Sequence, residues 1–347
     1  MIIEVCSPTI RRREMDAVLT VLVEEKIGPG AQGERLIQAA KERLNFEYCL
    51  ALRSPAIALS FALNLLGLEP GSGVALSALS PAYYLRVIED AGFAAVFCDT
   101  RAACACVDGE TVGAAVAEAE AGGTPVRALV LHHNLGFMPD MEGIAALGIP
   151  LIEDCSAAYM SGLGDKKAGS YGVFTVLGLE ERDMLTSGGG ALLYASGRRD
   201  AAVLRNAGPL PPEYGLPDMN AAMALVQFRE TEKNLQRREK IAELYTRAAL
   251  YQGRHKMFAR PENFEYNNYA FTLVLETGMK EVTAYARRKE IAVESAFART
   301  PAALGLAAQG KCPSACSISR RTALFPIYPR LGNTAASRVA TLIQSLP

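Results

Sequence analysis

Tryptophan is missing from the 347 residues, aromatic residues make up 7%, and the histidines number three, His132, His133 and His255. A chain so poor in stacking side chains makes a poor platform for single-stranded nucleic acid, whose bases need aromatic faces. An excess of either charge is missing too: Lys+Arg 36 against Asp+Glu 37 leaves −1. No basic field therefore points to nucleic acid or to an anionic membrane. No apolar run reaches the roughly 18 residues of a membrane span, and the opening MIIEVCSPTIRRREMD lacks the basic-then-apolar order of a secretory signal. The expectation is a cytoplasmic protein with no nucleic acid and no membrane as partner. Eight cysteines are too sparse for a disulfide scaffold. Cys104 and Cys106, and Cys312 and Cys316, lie close in sequence without forming the repeated C-x-x-C of a zinc site, so no metal is expected and the thiols read as reduced.

What the chain does have is regular alternation. Half of it is hydrophobic and 21% is charged, enough to build one large core and a smaller one. Short apolar runs at Tyr48–Leu52, 74–78, Ala94–Cys98, 128–132 and 150–152 read as buried parallel strands. Helical patterns fill the intervals at 56–66, 81–91, 110–121 and 141–147, joined through Gly- and Pro-bearing turns. Strand and helix repeated in this way predict an α/β domain of three layers, α/β/α, over residues 1–215, with a helical segment at 1–45. Residues 218–251 carry apolar positions at helical spacing, which predicts one or two long connecting helices over 216–251. The remainder, 252–347, reads as a small α+β domain with strands at 269–275 and 291–294 and helices at 280–288 and 335–346.

In open α/β sheets ligands bind beyond the carboxyl ends of the strands. Those ends read Arg53-Ser54-Pro55-Ala56, Ser77 to Tyr84, His132-His133-Asn134 and Glu153-Asp154-Cys155-Ser156, with a glycine-rich Ser187-Gly188-Gly189-Gly190 further on. Ser54 as N-cap and Pro55 as first helical residue explain the first segment without a ligand. The paired histidines at a strand end read as hydrogen-bonded packing rather than as metal ligands. Glu153-Asp154 stands out, because two carboxylates at a buried strand's end are costly without partners.

Taken in order, these segments resemble the DegT/DnrJ/StrS family of sugar aminotransferases. Residues 48–71 resemble the family's strand, Ser-Gly-Thr turn and helix; 74–99 its next strand–helix–strand unit; 133–141 (HNLGFMPDM) its His-x-x-Gly loop; and 149–154 (IPLIED) its strand ending in Glu-Asp. Gly169-Ser170 and Gly189-Gly190 fall where the family has Gly-Ser and Glu-Gly-Gly, and 324–331 (LFPIYPRL) resembles its Leu-Pro-x-x-Pro-x-Leu segment. The resemblance implies the aspartate aminotransferase fold, a homodimer with sites completed by the neighbouring subunit, and pyridoxal phosphate (PLP) or pyridoxamine phosphate (PMP) as cofactor. It also implies a link to amino-sugar or surface-polysaccharide biosynthesis on a nucleotide carrier.

The departures from the family pattern concern chemistry. Where the resemblance places the Schiff-base lysine, the chain has Glu180 or Arg182, and neither side chain can form an imine. The phosphate-binding Ser-Gly-Thr reads Ser54-Pro55-Ala56, which lacks one amide donor and one hydroxyl, with Arg53 left as a charge at the rim. The stacking aromatic is Pro81, with Tyr83 and Tyr84 nearby; the glutamine after Glu-Asp is Ala157; and the Asn-x-Arg loop falls near Glu213 and Gly215. Asp154, whose family counterpart pairs with the pyridine nitrogen, remains. The expected cofactor contacts are thus Asp154, Ser54, Ala56, Arg53 and Tyr83. The first expectation is a non-catalytic homologue with no covalently bound cofactor, binding a nucleotide sugar or pairing with an active paralogue. The alternatives are an enzyme acting on bound PMP with His133 or Glu180 as base, and an ordinary aminotransferase using Lys166 or Lys167.

Overall fold

The computed structural model describes residues 2–308 and 310–347. Seven strands form the central sheet: β1 (Tyr48–Leu52), β2 (Gly73–Ser77), β3 (Ala94–Cys98), β4 (Val126–His132), β5 (Leu151–Asp154), β6 (Phe174–Gly178) and β7 (Ala191–Ala195), in the order β1-β7-β6-β5-β4-β2-β3. From β3 to β6 the neighbours run parallel, and β2 and β6 are buried along their whole length, which accounts for their unbroken apolar runs. The edge differs from the sequence expectation. β1 pairs antiparallel with β7, which itself runs antiparallel to β6, so β1 joins the sheet through a reversed strand. β6 and β7 had no place in the strand pattern read from sequence, since two tight glycine-bearing segments, Gly169 to Gly172 and Gly188 to Gly190, flank them.

The helices follow local capping chemistry. Ser54 accepts the Ile57 amide (3.2 Å) with Pro55 at the first helical position, starting the helix Pro55–Leu65. Asp108 and Thr111 cap the helix Gly109–Ala121 reciprocally. Asp218 acts across sequence: its Oδ1 accepts the Gln32 and Gly33 amides (3.1 Å each), placing a carboxylate at the N-terminus of Ala31–Leu44.

Two helices, Asp218–Arg229 and Thr231–Gln252, meet at Glu230 and carry the chain to the C-terminal unit. There Phe271–Val274, Thr322–Phe325 and Glu294–Ser295 form an antiparallel sheet. Tyr245, Phe271, Phe325, Val339 and Ile343 join in its core. The strand expected at 291–294 contributes Glu294 to this sheet, while Ile291 forms a parallel bridge with Ile3. Ile3 also lies in that core, so the first residues of the chain pack with the C-terminal unit and not with the large sheet that follows them. Among the described residues no helix is long and apolar enough to cross a membrane.

Candidate functional site

Register brings the ends of β4, β5 and β6 together: His132 pairs with Asp154, and Asp154 with Val176. Asp154 is 3% exposed and fully engaged. Its Oδ1 accepts the Ser156 amide (2.8 Å) and the Ser156 hydroxyl, and its Oδ2 accepts the Tyr84 hydroxyl. His132 Nδ1 lies 3.7 Å from Oδ2 and 3.5 Å from the Tyr84 oxygen. Burial pushes the Asp154 carboxyl up, but His132, Ser156 and Tyr84 outweigh it and hold the group below its ordinary range. Tyr84 comes from the first turn of the helix Tyr83–Asp90, packs edge-on against Tyr83 (4.9 Å between centroids) and faces the His132 ring (6.1 Å).

The loop after β6 contributes a second carboxylate. Glu180, Glu181 and Arg182 point to solvent, whereas Asp183 turns inward and accepts the Glu180 amide at 2.8 Å. Only glycine tolerates this approach: a Cβ at Gly178 would overlap Asp183 Oδ2 and lie 2.6 Å from Ser156 Oγ. Burial, then repulsion from Asp154, pushes the Asp183 carboxyl up to about 7.

Glu153, one residue before Asp154, faces the opposite side of the sheet, as strand alternation requires. Its carboxylate accepts the Gly169 (2.9 Å), Tyr171 (2.6 Å) and Gly172 (2.6 Å) amides and is 2.9 Å from His133 Nε2. Burial raises the group, and these hydrogen bonds bring it below its usual value. His133, Glu153 and Cys155 lie close enough to hold a metal ion, yet every Glu153 oxygen already has donors. That arrangement secures the turn into β6.

The residues singled out from sequence divide accordingly. Asp154 and the Tyr83-Tyr84 pair come together at the strand ends. His133, a candidate base, is instead buried on Glu153. Arg182 reaches away to Glu294 of the C-terminal sheet (2.8 Å), and its carbonyl accepts the Tyr269 hydroxyl (2.9 Å). Arg53 donates its Nε to the Glu213 carbonyl (2.8 Å), which ties the Ser54-Pro55-Ala56 turn to the 213–215 loop. Lys166 and Lys167 are exposed on a two-strand hairpin and paired with Glu142 and Glu265. All ten lysines of the chain are exposed, and none occurs between Lys167 and Lys233. His132 and Ser156 were read only as parts of strand-end segments, and neither they nor Asp183 was assigned a role at the site. Period-two alternation could have favoured His132 over its neighbour, and a serine two residues after an aspartate is a recognisable local acceptor turn.

Behind the loop lies a cavity of about 70 Å³ lined by Arg182, Asp183, Cys6, Asn234, Arg238 and Tyr269. The buried Arg238 closes it by donating Nη1 to the carbonyls of Tyr269 (3.0 Å) and Ile327 (2.8 Å), bracing the long helix against the C-terminal unit.

The sequence profile of the DegT/DnrJ/EryC1/StrS aminotransferase family matches residues 8–344. The chain belongs to that family. It is 24% identical over 376 residues to the dTDP-4-dehydro-2,3,6-trideoxy-D-glucose 4-aminotransferase of Saccharopolyspora spinosa, covering 97% of this chain and 94% of that protein. It is 29% identical over 210 residues to the L-glutamine:2-deoxy-scyllo-inosose aminotransferase of Streptomyces lividus, covering 56% of this chain and 48% of that relative, about half its length. The aminotransferase TlmJ from Streptoalloteichus hindustanus superposes with a TM-score of 0.88 at 21% identity, over 99% of this chain and 98% of that one. A DegT DnrJ EryC1 StrS aminotransferase from Brucella abortus gives 0.85 at 19% identity, over 96% and 94%. The α/β fold of PLP-dependent aminotransferases, expected from sequence, is therefore the fold of this chain. The family uses PLP or PMP; solved structures of Spr1654 from Streptococcus pneumoniae include both forms.

Proposed function

We propose that this chain keeps the sugar-aminotransferase scaffold without the imine chemistry of its family, as a homodimeric binding or partner protein in amino-sugar or surface-polysaccharide biosynthesis. The observation that carries the reading is the exposure of every lysine, together with the acidic stretch Glu180-Glu181-Arg182-Asp183 where an amine is required. An aldehyde cofactor forms an imine only with an unprotonated primary amine held beside it.

The other contacts fit a covalently held cofactor no better. Asp154 Oδ1 already accepts the Ser156 amide and hydroxyl and Oδ2 accepts the Tyr84 hydroxyl, so a pyridinium N–H would have to share Oδ2 with Tyr84. Pro55 and Ala56 remove a donor and a hydroxyl from the turn that would grip a phosphate, and Asp183 adds a carboxylate to the same end of the sheet. A sugar on a nucleotide carrier, the substrate class named for the Saccharopolyspora relative, remains a reasonable ligand for the cleft. The apolar residues Met15, Leu19, Leu22 and Val23, exposed along the first helix, support a second copy of the chain as partner.

Adding PLP to the purified protein and recording absorbance in the aldimine band, with and without borohydride, tests the reading. At one equivalent of PLP no band and no reducible adduct are expected, and a one-to-one adduct confined to a single lysine overturns it. A second reading, chemistry on bound PMP, draws support from Asp154, which is held ionised. Against it stand the burial of His133 on Glu153 and the Tyr84 hydroxyl already on Asp154 Oδ2. Tight binding of PMP by calorimetry would restore it.

A further inference from the structure

The loop after β3 folds back on itself. The Arg101 amide donates to the Cys106 carbonyl (2.7 Å), the Ala105 amide donates to the Arg101 carbonyl (2.9 Å), and Ala105 between the two cysteines adopts φ +57°. A residue with a Cβ adopts that left-handed region uncommonly, here within a tight turn. The turn places the Cys106 thiol against its neighbour: Cys106 Sγ donates to the Cys104 carbonyl at 3.4 Å. Cys106 is 3% exposed and Cys104 is half-buried, so one sulfur is reachable while the other lies beneath it.

We propose that Cys104 and Cys106 form a thiol–disulfide exchange site that cycles between dithiol and disulfide by reaction with a low-molecular-weight disulfide. Cys104 as thiolate attacks one sulfur of the external disulfide; that S–S bond breaks and a first thiolate leaves, taking up a proton. Cys106 gives up its proton and attacks the Cys104 sulfur, which expels the second small thiol. The protein pair is oxidised by two electrons as the small disulfide is reduced to two thiols. The thiol of Cys104 suits the attacking role: hydrogen bonding from Cys106 draws it down to about 7 against the opposing effect of burial. Burial pushes the thiols of Cys6, Cys49, Cys98 and Cys155 upward, which leaves them inert by comparison. A C-x-C ring is small, and strained disulfides are the reducible kind. The loop is also a junction. The Ala105 carbonyl accepts Asn134 Nδ2 (2.9 Å) from the turn after His133, and the Ala103 carbonyl accepts the Ala259 amide (2.8 Å) from the C-terminal unit.

The test uses the full chain incubated with glutathione disulfide at neutral pH, then alkylated and cleaved with trypsin. Residues 102–127 form one tryptic peptide that contains Cys104 and Cys106 and no other cysteine. That peptide should emerge lighter by two hydrogens, and dithiothreitol should restore it. Cys106→Ser should retain a glutathione adduct on Cys104, and Cys104→Ser should take none at Cys106. An unchanged peptide from protein that circular dichroism shows to be folded overturns the proposal. So does modification of Cys6 ahead of this pair. Neither result depends on whether the chain handles PLP.

Discussion

Two carboxylates, the buried Glu153 and the half-buried Asp183, lie on either side of the same strand ends and carry opposite electrostatics. Glu153 meets three backbone amides and His133, and its carboxyl stays below its ordinary range although burial alone would raise it. Among the described residues one donor, the Glu180 amide, reaches Asp183, whose carboxyl rises to about 7. Desolvation raises both carboxyls, so the donors decide the charge. The difference separates scaffold from site. The Glu153 face has the saturated hydrogen bonding of a structural brace, while the Asp183 face holds an underserved acid beside Asp154, the kind of arrangement that a ligand or a proton can shift.

Removing the charge from the saturated side should have the largest effect. Glu153→Gln turns one acceptor into an amide donor facing backbone N–H groups that have no other partner, with an expected loss of about 3 kcal/mol in denaturant unfolding. A loss below about 1 kcal/mol would mean the turn into β6 is held by packing and not by the carboxylate.

The matching change on the other side should act with the opposite sign. Asp183 has its folded-state carboxyl raised from 3.8 to about 7, so the native chain holds that proton more tightly than the unfolded chain. Its favourable contribution is complete below the unfolded value, declines as pH rises through the interval from 3.8 to about 7, and is gone above it. Asp183→Asn keeps an oxygen for the Glu180 amide and does not titrate. The variant should match the parent near pH ~4 and exceed it by roughly 2 kcal/mol at about pH 8. Parallel pH–stability curves for the two proteins would erase the contrast between the carboxylates.

The contrast also marks how far the sequence could be read. Strands β1 and β3 follow from apolar runs bounded by turn residues, and the helix after Ser54 follows from its cap, because these are local signals. Glu153-Asp154 could be identified as a costly pair, but which carboxylate served which face required the sheet. Asp183 could not be identified at all. Its inward turn depends on Gly178 making room and on a loop whose preceding three residues all face solvent. The pairing of β1 with β7 was hidden for a similar reason, since their first residues, Tyr48 and Ala191, lie 143 positions apart and no local pattern encodes such a contact.

Tyr84→Phe probes Asp154 between these extremes. The variant withdraws one hydroxyl from Oδ2 and leaves both Ser156 donors on Oδ1, with His132 Nδ1 still 3.7 Å away. A loss of about 1 kcal/mol is expected, with the Asp154 carboxyl moving up toward the behaviour of Asp183. Carbon-detected NMR titration of Asp154 would follow that movement. An unmoved carboxyl would assign its low value to Ser156 and His132 alone.

The smallest effect belongs to the two lysines nearest the loop in sequence. Lys166 pairs with Glu142 and Lys167 with Glu265, all four exposed, on a hairpin whose side chains contact neither Asp154 nor Asp183. Exposed pairs contribute little, because water and salt screen them and two long side chains lose freedom when they meet. The double variant Lys166→Ala, Lys167→Ala should therefore melt at the parent's temperature within error and show the same response to added PLP. If the parent forms a reducible adduct that the double variant lacks, an exposed hairpin lysine has reached the strand ends. The proposed division between a braced scaffold face and a site face without an amine would then fail at its central point.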